Sequence, residues 1–241
     1  DAATSLVAPS PGNKNYRDLE SRSPAPAGTL DVMTSIHDLP EAFNAAVDLL
    51  AAGRPDKVAV IDCHGKTTSG QLTRRVDRMA NALGALGLHP EQRVLLCLLD
   101  TVDFPTAFLG AIKAGIVPVP LNTLLTTDDY RWILGNSRAS AVIVSGELSD
   151  SWRSIADEFP HVRFVSGRGG PWPALTDLLA AASPVAEAAG THRDEPAFWL
   201  YTSGSTGQPK GVVHTHGSLR LTAELFGKGV MGYREDDVCF S

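Results

Sequence analysis

The chain has 241 residues, 43% hydrophobic and 20% charged, with 27 acidic against 21 basic side chains and a formal net charge of −6. That length is long for one average domain and short for two, and the composition allows a real core. The lack of excess Lys and Arg excludes nucleic-acid binding through a general positive field, but leaves room for a nucleotide in a local pocket.

No apolar run approaches the ~18 residues of a membrane span, and no basic stretch leading into an apolar core marks a secretory signal. Cys63, Cys97 and Cys239 show no C-x-x-C spacing. This argues against a disulfide scaffold or structural zinc site and fits a reducing, cytoplasmic compartment.

Residues 1–36 read as a tail: Pro9, Pro11, Pro24 and Pro26 sit among small polar residues with no burying period. Residues 37–241 then alternate between two kinds of pattern. Phe43, Ala46, Val47 and Leu50 form a helical stripe over Pro40 to Ala52, and Val58 to Ile61 is a short strand ending in a turn. Leu72, Val76, Met79, Leu83 and Leu86 share one face of a helix from Ser69, a candidate cap, to Leu86, with Gly87 as its left-handed stop.

Arg93 to Leu99 is an uninterrupted apolar strand, as in a sheet covered on both faces. A helix over 103–114, a strand over 116–120, a helix from Thr127-Asp-Asp through Leu134 and a strand over 141–144 continue the rhythm. Ser149 to Phe159, Val162 to Val165 and Ala174 to Ala182 repeat it. Ala197 to Tyr201 and Gly211 to Thr215 read as strands, followed by a helix from about Gly217 into Phe226. The fold class expected is α/β, with right-handed β-α-β units around a parallel sheet.

One segment stands apart: Tyr201-Thr-Ser-Gly-Ser-Thr-Gly-Gln-Pro-Lys-Gly211. Within it, Gly204 and Gly207 let the backbone approach an anion so that consecutive N–H groups converge. Thr202, Ser203, Ser205 and Thr206 add short hydroxyl donors, and Lys210 adds a mobile point charge suited to phosphate oxygens. Placed after an apolar strand, the loop is expected at the carboxyl edge of the sheet, where open α/β folds bind ligands. A Walker loop does not fit, because Lys210 lies between Pro209 and Gly211. A dinucleotide fingerprint fails for want of its third glycine, and an aromatic strand before the loop is unlike a Gly/Ser linker.

The segment resembles the phosphate-binding signature of the adenylate-forming superfamily. Asp103 to Thr126, Thr191 to Tyr201 and Arg234 to Ser241 further resemble the benzoate or hydroxybenzoate-CoA ligase branch. The resemblance covers about residues 37–241. It implies the first part of a large N-terminal domain, cut at 241, without the downstream adenine and ribose contacts or the mobile C-terminal domain. It also implies ATP-dependent conversion of an aromatic carboxylate to an acyl adenylate, then thioester formation with coenzyme A.

Thr202, Ser203, Gly204, Ser205, Thr206, Gly207 and Lys210 would hold the β and γ phosphates, with Lys210 catalytic and Thr206 a weaker contact to magnesium. The chain alone is expected to lack ligase activity and to seek a complementary chain or to oligomerise. Other adenylating ligases, for fatty or amino acids, and a non-catalytic nucleotide-binding module stay open as alternatives. Thr68 and Gln71 stand where relatives have Tyr and Glu, which puts local stability in doubt more than chemistry.

Other candidates read as structural. His214-x-His216 would share a strand face but lacks a third ligand nearby. Asp128-Asp129 suits a helix start better than magnesium. The three cysteines are expected in packing, and the four tryptophans in core or loop contacts.

Overall fold

The structure, a computed structural model, describes residues 33–202 and 208–239. A 3₁₀ turn (Ile36–Asp38) precedes α1 (Ala45–Ala51), β1 (Val58–Asp62), β2 (Gly65–Thr68) and α2 (Ser69–Ala85). β3 (Arg93–Cys97), α3 (Asp103–Lys113), β4 (Val117–Pro120), α4 (Thr127–Ser137) and β5 (Ala141–Val144) follow. The chain continues through α5 (Asp150–Glu158), β6 (Arg163–Ser166), α6 (Leu175–Ala181), β7 (Pro196–Thr202), β8 (Lys210–Thr215) and α7 (His216–Thr222). A π-helical segment, Ala223–Val230, extends α7.

The apolar runs predicted as buried strands form one parallel sheet in the order β4-β3-β5-β6. Leu95 pairs with Val119 on one side and Val142 on the other. Alternation then divides the core in two. Val94 and Leu96 point toward Met79, Leu83, Ala107 and Ala111 of α2 and α3, while Leu95 and Cys97 point toward Tyr130, Ile133, Trp152 and Ile155 of α4 and α5. The sheet is thus covered on both faces, which is why its strands read as continuous apolar runs.

Close packing of the helices depends on one glycine. A Cβ on Gly110 would lie 2.5 Å from Met79 Cβ, so α3 can approach α2 only without a side chain there. Gly87 and Gly115, both at positive φ, close α2 and α3. The end of α6 is capped from outside: Arg78 Nη1 donates to the carbonyls of Leu179 (2.9 Å), Ala180 (3.2 Å) and Ala182 (2.6 Å).

Several boundaries differ from expectation, each for a local reason. The first helix starts at Ala45 rather than Pro40, because residues 41–43 run extended against 191–193: Phe43 N–H donates to Thr191 O and Arg193 N–H to Glu41 O. Asn44 Oδ1 then caps α1. Thr68, not Ser69, caps α2. Its hydroxyl accepts from Gln71 N–H while Gln71 Oε1 accepts from Thr68 N–H at 2.8 Å, a reciprocal capping box. The departure at Thr68 and Gln71 therefore leaves the helix start satisfied.

Thr126 and Asp129 make the same box on α4, one residue before the expected Thr127. Strand β2 went unexpected because Gly65-Lys-Thr-Thr carries no apolar residue; it pairs antiparallel with β1. Cys97 is buried as expected, but Cys63 and Cys239 are exposed rather than packed. Of the expected tail, residues 1–32 lie outside the described residues, and Met33 packs against the cluster of Leu39, Phe43 and Ala46.

Candidate functional site

β7 and β8 form their own two-stranded antiparallel sheet. Strand β7 therefore belongs to a hairpin with β8 and not to the parallel sheet at whose carboxyl edge the loop after it was expected. That expectation failed because two apolar strands separated by a Gly-rich loop look alike whether they pair with each other or with a third. β7 packs beside β4 without joining its ladder.

The two faces of the hairpin differ. Register pairs Phe198 with His214, Leu200 with Val212 and Thr202 with Lys210; the opposite face carries Trp199, Tyr201 and their partners Val213 and Gly211. This second face anchors the hairpin. Tyr201 Oη donates to Asn136 Oδ1 at 2.6 Å, and its ring stands edge-on to Trp132 with centroids 6.1 Å apart. Burial pushes the Tyr201 phenol up against the smaller pull of Arg93, so it stays protonated as a donor at neutral pH. The Arg93 guanidinium lies 5.6 Å from the centre of the Trp199 ring and is itself fixed by donation to Ser137 O at 2.8 Å. Gly211 leaves room for the Tyr201 ring, whose Cζ would sit 3.3 Å from a Cβ.

On the first face the root is buried and the mouth open. Phe198 stacks on His214 with centroids 4.5 Å apart. At the mouth Thr202 and Lys210 are cross-strand partners, both exposed, so their side chains start within about 5.5 Å of each other. No ion pair or hydrogen bond joins the Lys210 ammonium to another described residue. A hydroxyl and an ammonium bracketing the loop form a donor set that fits phosphate oxygens. Ser203, Gly204, Ser205, Thr206 and Gly207 lie outside the described residues.

The hairpin exit is held by His216. It is the first residue of α7 rather than part of a strand, so it does not share a face with His214 as a chelating pair would. Its Nδ1 accepts from Ala45 N–H at 3.1 Å. Burial lowers its pKa to about 4 against a weaker opposing pull from Glu195, so it is neutral at physiological pH. Asp129 is committed to the Thr126 cap and Asp128 to Arg131, consistent with a helix-start role. Among the described residues, no group of three or more His, Cys, Asp or Glu side chains could hold a metal ion. Among them, too, no helix is long and apolar enough to cross a membrane.

Sequence reading missed Asn136, Arg93 and His216 as supports of the hairpin. The alternation Trp199, Tyr201 against Phe198, Leu200 did carry the signal that one face must be packed. The partners themselves lie 65 to 171 residues away in sequence and leave no local trace.

Residues 47–241 match the AMP-binding enzyme family. The chain belongs to that family. It is 47% identical over 209 residues to a benzoate–CoA ligase of Thauera aromatica, covering 84% of this chain and 40% of the relative. Its fold matches a benzoate CoA ligase from Burkholderia xenovorans LB400 with a TM-score of 0.74 and 46% identity, over 81% of this chain and 39% of that one. An anthranilate CoA ligase solved in complex with anthranoyl-AMP gives a TM-score of 0.80 at 34% identity, over 85% and 40% of the two chains. This AMP-binding chain thus spans about 40% of the length of the relatives it matches.

Proposed function

We propose that the protein activates an aromatic carboxylate of the benzoate or hydroxybenzoate type with ATP and transfers the acyl group to coenzyme A. The observation that carries this reading is the pairing of Thr202 with Lys210 at the mouth of the β7–β8 hairpin, in a chain of the AMP-binding family. The names of its relatives supply the substrate class.

In the first half-reaction a carboxylate oxygen attacks the α-phosphorus and pyrophosphate departs. Charge then accumulates on the leaving phosphates, where preorganised donors and a cation stabilise it most. We assign this work to Thr202, Ser203, Gly204, Ser205, Thr206, Gly207 and Lys210 around the β and γ phosphates, with Thr206 meeting magnesium that travels with the triphosphate. In the second half the coenzyme A thiolate attacks the acyl carbon and AMP leaves. Three cysteines outside any disulfide fit a reducing, cytoplasmic setting, and the exposed Leu200, Val212 and Phe226 support a covering partner or oligomer.

The test is pyrophosphate release and thioester formation by the full-length gene product with ATP and coenzyme A, across benzoate, 4-hydroxybenzoate and a fatty acid. Benzoate-type acids should react fastest, and Lys210→Ala should slow adenylate formation on the order of 100-fold or more with unchanged melting. Adenylation by Lys210→Ala at the native rate would sink the loop assignment; preference for the fatty acid would sink the substrate assignment.

A further inference from the structure

A second cationic site lies on elements that carry none of the proposed phosphate-loop residues. Lys66 and Thr67 of β2 with Gln71, Arg74, Arg75 and Arg78 of α2 line a cleft of about 370 Å³. Four of these six side chains are cations and none is a carboxylate, in a chain whose net charge is −6.

The helix spacing makes the cluster costly. Arg74 and Arg78 are four residues apart and Arg75 and Arg78 three, which places like charges side by side on one helix face, a destabilising arrangement in isolation. Among the described residues only Arg75 has a compensating carboxylate: its Nη2 donates to Asp103 Oδ1 at 2.5 Å while its Nε donates to Thr106 Oγ1 at 3.1 Å. Arg78 is fixed by the α6 carbonyls through Nη1 alone. Among the described residues Lys66 and Arg74 make no ion pair.

Two guanidinium forks are thus held in place by bonds that, among the described residues, leave N–H groups of each uncommitted, and two exposed cations stand beside them. Preorganised forks lose little freedom on binding and match the oxygens of a phosphoryl group.

We infer that the β2–α2 cleft is a binding site for a small, multiply charged phosphoanion of the diphosphate class, separate from the β7–β8 hairpin. Arg75 and Arg78 supply fixed donors, and Lys66 and Arg74 close over the anion. Net attraction falls with salt, since the ligand is held by charge near the surface.

Calorimetry with inorganic pyrophosphate at low ionic strength tests this on the full chain and on its Lys210→Ala variant, which disables the proposed loop. A single saturable site should persist in Lys210→Ala. Adding Lys66→Ala and Arg74→Ala should weaken it about tenfold or more, without lowering the melting temperature, because neither side chain holds the fold together. Loss of all saturable binding in Lys210→Ala would overturn the inference, as would unchanged affinity after Lys66→Ala and Arg74→Ala. Binding here leaves the ligase assignment untouched, so the two readings fail separately.

Discussion

The β4-β3-β5-β6 sheet and the β7–β8 hairpin both consist of apolar strands, yet they bury them in opposite ways. Val94 to Cys97 and Ala141 to Val144 are sealed on both faces by helices. The hairpin is packed through Trp199 and Tyr201 on one face and through Phe198 at its root; Leu200 and Val212 on the other face stay exposed, as does Val213 beside Trp199, and so do Leu225, Phe226 and Val230 in the π-helical segment beyond it. Thr202 and Lys210, the described members of the proposed phosphate set, thus sit on the weakly buried part. A buried layer supplies the platform, and two long-range anchors (Tyr201 to Asn136, Arg93 over Trp199) tie the hairpin to it, while His216 ties the hairpin exit to Ala45 of α1.

The largest effect should come from the buried layer. Trp152 is fully buried and stacks on Tyr130 with centroids 4.6 Å apart, so Trp152→Ala should cost about 3–5 kcal/mol and lower the urea midpoint sharply. Trp199, half-buried on the hairpin, should cost well under half as much when cut to Ala. Equal losses would erase the contrast between the two regions.

Acid should act on the joint between the hairpin exit and α1. The His216 pKa of about 4 in the fold lies below the ordinary 6.5, so the folded state disfavours the proton that the unfolded chain accepts. Its contribution is complete above pH 6.5 and is lost as pH falls toward 4. The difference amounts to roughly 3 kcal/mol at most. Urea melts of native protein and His216→Gln across that window isolate it from the carboxylates: the native chain should lose more stability on acidification. Parallel pH profiles would mean that this imidazole does not link the joint to pH.

How much of this was readable beforehand follows from the range of the interactions. Strands β3 and β5 announced themselves through unbroken Val, Leu and Ile, and Gly87 and Gly115 marked helix ends because positive φ is a local demand. The segment from Thr202 to Lys210 stood out through composition alone. Strand β2 did not, since Gly65-Lys-Thr-Thr carries no apolar residue and buries little. The pairing of β7 with β8 was hidden for a different reason: alternation defines two faces but not which neighbour supplies the ladder. Similarly, His214 and His216 matched a two-residue strand period, yet Thr215 caps a helix by accepting from Ser218 N–H, which moves His216 off the strand.

The smallest effect sharpens the comparison most, because it asks whether the hairpin opens by itself. Tyr201→Phe keeps the ring against Trp132 and removes only the 2.6 Å donation to Asn136, a bond at the surface worth about 0.5–1.5 kcal/mol. The bond is broken whether β7 and β8 open alone or the whole chain unfolds, so its loss lowers both free energies by the same amount. If the hairpin opens as a local unit, native-state hydrogen exchange at the amides of β7 and β8 should need less free energy and depend less on urea than at those of β3 and β5, and Tyr201→Phe should speed it several-fold. Equal exchange free energies and equal urea slopes in all four strands would mean that hairpin and sheet unfold as one, and that Thr202 and Lys210 stand on ground as firm as the core.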